Sequence, residues 1–403
     1  MFLKVFVHKS DTISRIVRLS PLFLSFPNFC RYFAVCFFIV KKRQKKAIKI
    51  TKTKKMKATI TAIGGFVPSS ILSNEMISRM VDTTEEWIEK RTGIKERRLA
   101  DENQSTSDLA YAAIENLLET YDIDRLEIDG LVLATATPDH LLTPTASKIC
   151  EKSGFTNAFG FDLNGACSGF LYALEMATTM IESGRYEKVI VVGADKMSSI
   201  VDYEDRNTCI LFGDGAGAVL LEKTELDHGM MKSILRTDGS GTSALLVPAG
   251  GSKVPAGMQS ILHREHYIKQ EGSFVFKKAV ESMTSVSQDA LANNGLSVED
   301  IDWVVPHQAN LRIIKSVSEH LNIGIEKVKV NIDRYGNTTS ATIPLCLWDF
   351  AADFKEGQNV LITTFGAGFS WGATCVKWGV MRKRRDLKST GSDEELEHDL
   401  MYQ

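Results

Sequence analysis

Asn164-Gly165-Ala166-Cys167-Ser168-Gly169-Phe170 is the stretch on which the reading of this chain turns. A strand-like run at 158–163 leads into it and a helical run at 171–183 leads out. A sharp strand-to-helix turn, permitted by Gly165 and Gly169, presents the Cys167 thiol exposed at its tip. The start of the helix points partial positive charge and free N–H groups at the sulfur, which favours thiolate. Gly-x-Cys-x-Gly is the thiol counterpart of a nucleophile elbow, so covalent catalysis is the leading reading.

On either side the chain alternates strands and helices, an α/β pattern. Strand-like runs lie at 130–136, 189–193, 303–305 and 360–364. Ser105 with Asp108 predicts a capping box; Leu109, Ala112, Ala113 and Leu117 then recur at helical spacing, with Asn116 the one polar residue on that stripe. Phe276, Val280, Met283 and Ala290 predict another helix, closed by Gly295. The two halves echo each other. Residues 126–133 and 298–305 each carry an acidic lead-in and a buried strand, and each half reaches a glycine-bearing strand end, at 192–194 and 365–368. This predicts a duplicated α/β unit spanning 57–225 and 226–380.

With 403 residues, 44% hydrophobic and 24% charged, the chain has the composition of a soluble globular protein with an ample core. Its net charge of −2 conceals an uneven distribution. Residues 1–56 carry 14 Lys/Arg and one acid, leaving 34 basic against 49 acidic residues in the remainder. An acidic body argues against nucleic acid as a partner. Seven cysteines with no C-x-x-C pair read as reduced, cytoplasmic thiols, and His263 with His266 is too little for a metal site. Residues 1–55 mix bulky apolar residues with Lys and Arg, and Pro21, Pro27 and Arg31 interrupt the apolar part. The apolar part is too short for a membrane span. They read as an upstream extension outside the fold, the alternative being a basic membrane-surface anchor. Residues 381–403 are charged and lack apolar periodicity, which predicts a disordered tail.

Two further segments pair with Cys167: Val305-Pro306-His307-Gln308-Ala309-Asn310, a strand end entering a helix over 311–321, and Asp333-Arg334-Tyr335-Gly336-Asn337-Thr338-Thr339-Ser340-Ala341-Thr342. Taken alone, Asn337 is a turn former after Gly336. Cys30, Cys36, Cys150, Cys209, Cys346 and Cys375 read as small buried hydrophobes, and His320 as a surface or core-edge residue. Together, the Cys, His and Asn motifs, in this order and over about residues 57–380, resemble the β-ketoacyl-acyl carrier protein synthase III family.

The resemblance implies a thiolase-like fold, with two α/β halves layered αβαβα, in a homodimer. It implies decarboxylative Claisen condensation of a short acyl-CoA primer with malonyl-acyl carrier protein, without metal or cofactor. The residue types suit that chemistry. A thiolate is both nucleophile and leaving group, so Cys167 can hold the acyl group as a thioester. Loss of CO₂ supplies the carbanion, so no strong base is needed. His307 and Asn337 match the residues that hydrogen-bond the thioester oxygen as charge develops, and backbone N–H groups of Cys167 and Ala367 match a second oxyanion site.

For coenzyme A, the resemblance implies Trp87 with Arg206 around adenine, Thr83 on the base, Arg91 on a phosphate, and Gly272, Phe276 and Asn310 along the pantetheine tunnel. Trp87 as a packing residue of a capped helix is the alternative. Gln308, Arg312 and Lys315 are implied in docking the acidic carrier protein. Thr143 matches approximately a position reaching the partner subunit's acyl pocket. Its small size suggests branched or longer primers beside acetyl-CoA. The glycines at 213–217 and 366–368 do not form a dinucleotide fingerprint and read as tight turns and strand contacts. A related Cys-His-Asn enzyme, such as 3-hydroxy-3-methylglutaryl-CoA synthase or a secondary-metabolite acyltransferase, is the rival function; a non-catalytic carrier-protein-binding subunit is another.

Overall fold

The computed structural model describes residues 56–385. The readings for 1–55 and 386–403 lie outside the described residues.

The first half begins with β1 (Lys57–Phe66), followed by α1 (Glu85–Thr92) and α2 (Thr106–Tyr121). Then come β2 (Gly130–Ala134), α3 (Thr145–Ser153), β3 (Phe159–Leu163), α4 (Gly169–Glu182), β4 (Lys188–Asp195) and β5 (Gly215–Thr224). The sheet order is β1-β5-β4-β2-β3, antiparallel at the β1 end and parallel from β4 to β3. The second half runs β6 (Gly229–Met230), β7 (Ile234–Thr237), α5 (Gly272–Asn293), β8 (Trp303–Pro306), α6 (Leu311–Leu321), α7 (Thr342–Asp349), β9 (Asn359–Gly366) and β10 (Ser370–Lys377). Here β8 pairs parallel with β9, β9 antiparallel with β10, and β6 and β7 share the far edge of β10. A parallel bridge from Val304 to Val328 occupies the position that β3 holds in the first sheet.

The echo between the halves is therefore topological. β2 and β8 hold equivalent places, as do β4 and β9, β5 and β10, and the helices α4 and α7. Their near-continuous apolar runs reflect burial on both faces. One core lies between the sheets around α4 and α7, joining Phe170, Leu174 and Ile343 to Val132 and Val305. Two others lie outside them, where Leu109, Ala113 and Leu117 of α2 cover one sheet and Val286, Ile314 and Val317 cover the other. Five layers result, αβαβα. The Ser105/Asp108 capping box is present at α2. Asn116, half-buried on its stripe, accepts the Gly65 N–H (3.1 Å), which explains a polar residue there.

Sheet and inner helix approach at glycine. A Cβ on Gly217 of β5 would lie 2.7 Å from Leu345 N in α7. The tail reading is corrected for 381–385. Arg382 pairs through two nitrogens with Glu222 (2.7 and 2.7 Å) and its N–H donates to the Thr61 carbonyl (2.8 Å). The half-buried Glu222 carboxylate needs a counter-charge, which composition did not reveal. Among the described residues no helix is long and apolar enough to cross a membrane.

Candidate active site

Cys167 lies one turn before α4, at the end of the segment leaving β3. Gly165 and Gly169 do permit the turn, but by close approach: a Cβ on Gly165 would lie 2.9 Å from Gly169 Cα. The left-handed backbone falls on Ala166, at φ 46°. Thr364 of β9 donates its hydroxyl to the Cys167 carbonyl (2.9 Å), and Ser168 donates to the Ser370 carbonyl (2.8 Å). The nucleophile turn of one half is thus fastened to the sheet of the other.

Two expectations for Cys167 are corrected. It is 7% exposed, at the inner end of a cavity and not on an exposed tip. Burial pushes its thiol up to about 12, and the Asp195 carboxylate adds to the rise. Backbone N–H groups of Cys167 and Ala367 hydrogen-bond the sulfur and oppose that shift without reversing it. The resting group is a thiol, because desolvation of a buried anion outweighs the N–H groups. Those two N–H groups are the pair expected to hold an oxyanion. Gly366 lets them converge: a Cβ there would lie 3.0 Å from Cys167 N.

His307 follows β8 and is 2% exposed. Burial pushes its pKa down to about 3, so the ring is neutral. The His307 backbone N–H donates to the Thr363 carbonyl (2.9 Å), and ring Nδ1 lies 2.6 Å from Thr342 Oγ1. Asn337 is held on both sides by backbone bonds, its N–H to the Leu211 carbonyl (2.8 Å) and its carbonyl from the Gly213 N–H (3.1 Å). Thr339 N–H donates to Asn337 Oδ1 (2.9 Å), which leaves Nδ2 as the donor end of the amide. Thr339 adopts φ 53°, an uncommon conformation for a β-branched residue, where it supports that bond.

Cys167, His307 and Asn337 line one cavity of about 980 Å³, together with Ala367, and it opens past Phe276, Gly272 and Asn310 to Trp87, Arg91, Arg206 and Arg312. The Arg206 guanidinium lies 5.1 Å from the Trp87 ring centroid and that of Arg91 5.9 Å, so two cations lie against one indole at the mouth. α1 is capped by Thr84, whose hydroxyl accepts the Trp87 N–H (3.1 Å). Trp87 stays 39% exposed, which disfavours the packing reading. Thr83 is half-buried and does not line the cavity; its hydroxyl has no hydrogen-bond partner. Asn310 caps α6 through Arg312 N–H (2.8 Å) and donates to the Arg91 carbonyl (3.1 Å), joining the two mouth helices.

Arg312 and Lys315 are exposed opposite the buried stripe Ile313, Ile314, Val317 and Leu321, and Arg312 stacks on Phe276 (5.3 Å). Gln308 is corrected. It is 1% exposed, donates to the Pro306 and Lys329 carbonyls and accepts the Asn331 N–H, so it cannot meet a docked protein. Thr143 does not line this chain's cavity. It lies on an exposed loop beside Leu141 and Leu142.

Sequence reading missed Asp195. Fully buried at the end of β4, it accepts from Thr135, Ala136 and Thr137 on one side and from Ser340 N (2.9 Å) and Oγ (2.5 Å) on the other. It ties the turn after Asn337 to the loop after β2. An acid ending an apolar strand was the available signal. The cavity walls at Leu245, Val247 and Ile268 carried none. No group of three or more His, Cys, Asp or Glu among the described residues could hold a metal ion.

A thiol, an imidazole and a carboxamide converging between two duplicated halves define the acyl-condensing class of thiolase-fold proteins. Within it, residues 161–239 match the family described as 3-oxoacyl-[acyl-carrier-protein (ACP)] synthase III, and residues 291–378 match that family's C-terminal region. A β-ketoacyl-[acyl-carrier-protein] synthase III of Phocaeicola vulgatus is 51% identical over 332 residues, covering 82% of this chain and 99% of that one. Another, of Bacteroides thetaiotaomicron, is 51% identical over 326 residues, covering 81% and 97%. The crystal structure of 3-oxoacyl-[acyl-carrier-protein] synthase III from Aquifex aeolicus superposes with a TM-score of 0.74 at 38% identity, covering 80% of this chain and 100% of that one. The chain belongs to the 3-oxoacyl-acyl carrier protein synthase III family and is an acyltransferase of the condensing type.

Proposed function

We propose that the chain starts fatty-acid synthesis by joining a short acyl-CoA primer to malonyl-acyl carrier protein in two half-reactions at Cys167. In the first, sulfur attacks the primer's thioester carbonyl. The Cys167 proton is lost as the new C–S bond forms and ends on the departing CoA thiol. The N–H groups of Cys167 and Ala367 hold the oxygen while it carries negative charge. In the second, malonyl-carrier protein loses CO₂, and the electron pair of the broken C–C bond passes into a thioester enolate. His307 and Asn337 donate to the enolate oxygen. The enolate carbon attacks the acyl-Cys167 carbonyl and expels the Cys167 thiolate, giving 3-oxoacyl-carrier protein, and a proton taken up from solvent restores the thiol.

The observation that carries this reading is the convergence of Cys167, His307 and Asn337 on one cavity. Its environment supports donation: an imidazole kept neutral by burial gives a hydrogen bond without taking a proton from solvent. Trp87, Arg91 and Arg206 at the mouth suit an adenine and its phosphates, with the pantetheine passing Gly272, Phe276 and Asn310. Arg312 and Lys315 suit an acidic carrier protein. Thr143 with Leu141 and Leu142 suits a homodimer in which each loop reaches the partner's acyl pocket. The reaction uses no metal or cofactor in this scheme, and the enzyme works in the cytoplasm.

Intact-protein mass after mixing with acetyl-CoA or isobutyryl-CoA, then malonyl-carrier protein, tests the scheme. An acyl adduct absent from Cys167→Ala and discharged by malonyl-carrier protein is expected. An adduct that malonyl-carrier protein leaves in place would overturn it in favour of an acyltransferase with another acceptor.

A further inference from the structure

The second half-reaction needs one particular tautomer of His307. Donation to an enolate oxygen requires a proton on the ring nitrogen facing the cavity, so the other nitrogen must be unprotonated and satisfied as an acceptor. His307 lines the cavity, whereas Thr342 does not. The Thr342 hydroxyl lies behind the ring, 2.6 Å from Nδ1, with Thr342 itself 2% exposed.

That hydroxyl has one proton and two acceptors within reach. The Thr339 carbonyl lies 3.2 Å away. Donation to that carbonyl would oblige Nδ1 to carry the ring proton and leave Nε2 as a bare acceptor. Donation to Nδ1 puts the proton on Nε2. At 3.2 Å the carbonyl is farther than an ordinary O–H···O bond of about 2.5–3.0 Å, whereas Nδ1 at 2.6 Å is within reach of the hydroxyl proton. We propose that Thr342 is a positioning residue that donates to His307 Nδ1 and so holds the ring as the Nε2–H tautomer that malonyl decarboxylation requires. The inference rests on the reading of His307 as a donor to the enolate oxygen.

The neighbouring geometry fits one device. Thr342 opens α7 directly after the turn that carries Asn337, and Thr339 N–H in that turn fixes the Asn337 amide. Both donors to the developing charge are therefore aimed by hydrogen bonds from the same four-residue stretch, one three residues after the other. The ring's backbone is fixed separately, by the Thr363 carbonyl on β9. The imidazole plane and protonation pattern are left for Thr342 to decide. Thr342 touches neither substrate nor the reacting atoms, so its effect passes through His307.

The test compares Thr342→Val and Thr342→Ser with the unaltered full chain. Valine keeps the shape of threonine and offers Nδ1 no proton, so the ring loses its anchor. Malonyl-carrier protein decarboxylation is expected to fall about tenfold or more, approaching the roughly hundredfold cost of losing a preorganised donor outright. Acylation of Cys167 by acetyl-CoA, followed by intact mass, is expected to change no more than about threefold. Serine restores decarboxylation. Independently of turnover, ¹⁵N-histidine NMR of the unaltered protein is expected to show a neutral His307 with its proton on Nε2, and a mixture of tautomers in Thr342→Val. Circular dichroism checks that both variants are folded. A His307 protonated on Nδ1 in the unaltered protein would overturn the proposal. So would equal losses in both half-reactions without rescue by serine, or full decarboxylation by Thr342→Val. Failure of the unaltered protein to decarboxylate malonyl-carrier protein, with Nε2–H still observed, would instead fault the enolate role of His307.

Discussion

At the residue scale the site is governed by desolvation. Cys167 and His307 are both almost completely buried, and both are thereby kept neutral, the thiol pushed up to about 12 and the imidazole down to about 3. The elbow motif made the cysteine legible, but it could not convey this outcome. Sequence shows that a helix begins there; only the packed structure shows how much water is removed. His307 has a consequence for stability. Unfolded, it takes up a proton below about pH 6.5, while the folded ring refuses one until about pH 3. The unfolded state thus binds more protons in that window, and stability falls as pH falls through it, by about 1.4 kcal/mol per unit. His307→Gln removes this term. Urea midpoints at pH 7 and pH 5 are expected to show the gap between wild type and variant narrowing by about 2 kcal/mol at the lower pH. An unchanged gap would mean that the folded ring titrates.

At the element scale the two inner helices matter most. α4 starts beside Cys167, α7 starts beside Asn337 and His307, and each is pressed between sheets that belong to different halves. Their apolar residues and the strand runs around them were readable as periodicity and composition. The closeness of their packing was not, because glycine in a strand has many meanings. Gly217 gives it one meaning here: its missing Cβ accommodates the α7 backbone. Gly217→Ala is expected to lower stability by about 1–3 kcal/mol through overpacking and to lower kcat, since α7 carries Thr342 and follows Asn337. Denaturant midpoints with steady-state rates check this. A variant with unchanged midpoint would show that α7 can shift without cost. Gln308 illustrates the opposite failure. It stands two residues before Asn310 in a motif of functional residues, yet its amide is fully used in joining β8 to the segment at 329–331.

At the scale of the whole molecule, duplication places the site. Each half ends a turn at the shared centre, and the chain reaches it three times, with Cys167 from one half and His307 and Asn337 from the other. The loop with Leu141, Leu142 and Thr143 does not line this chain's own cavity, and Leu141 and Leu142 are exposed at 87% and 93%. If a second copy receives that loop, Thr143→Phe is expected to favour acetyl-CoA over isobutyryl-CoA by a further tenfold or more in kcat/KM. Competition between the two primers measures it, and an unchanged ratio would remove the loop from the acyl pocket. By itself the sequence determined the α/β alternation and the duplicated halves, and it pointed to Cys167, His307 and Asn337, with the aromatic and cationic residues at the mouth, as the candidate site. These are carried by local pattern: period, turn chemistry and short motifs of reactive side chains. Only the tertiary structure decided that the thiol is buried and protonated, that Gln308 is internal, that Arg382 returns to Glu222, and that Asp195 and Thr342 support the site. Each of those depends on which groups from distant segments exclude water from one another, and desolvation and hydrogen-bond partnership across the fold leave no mark on neighbouring residues in the chain.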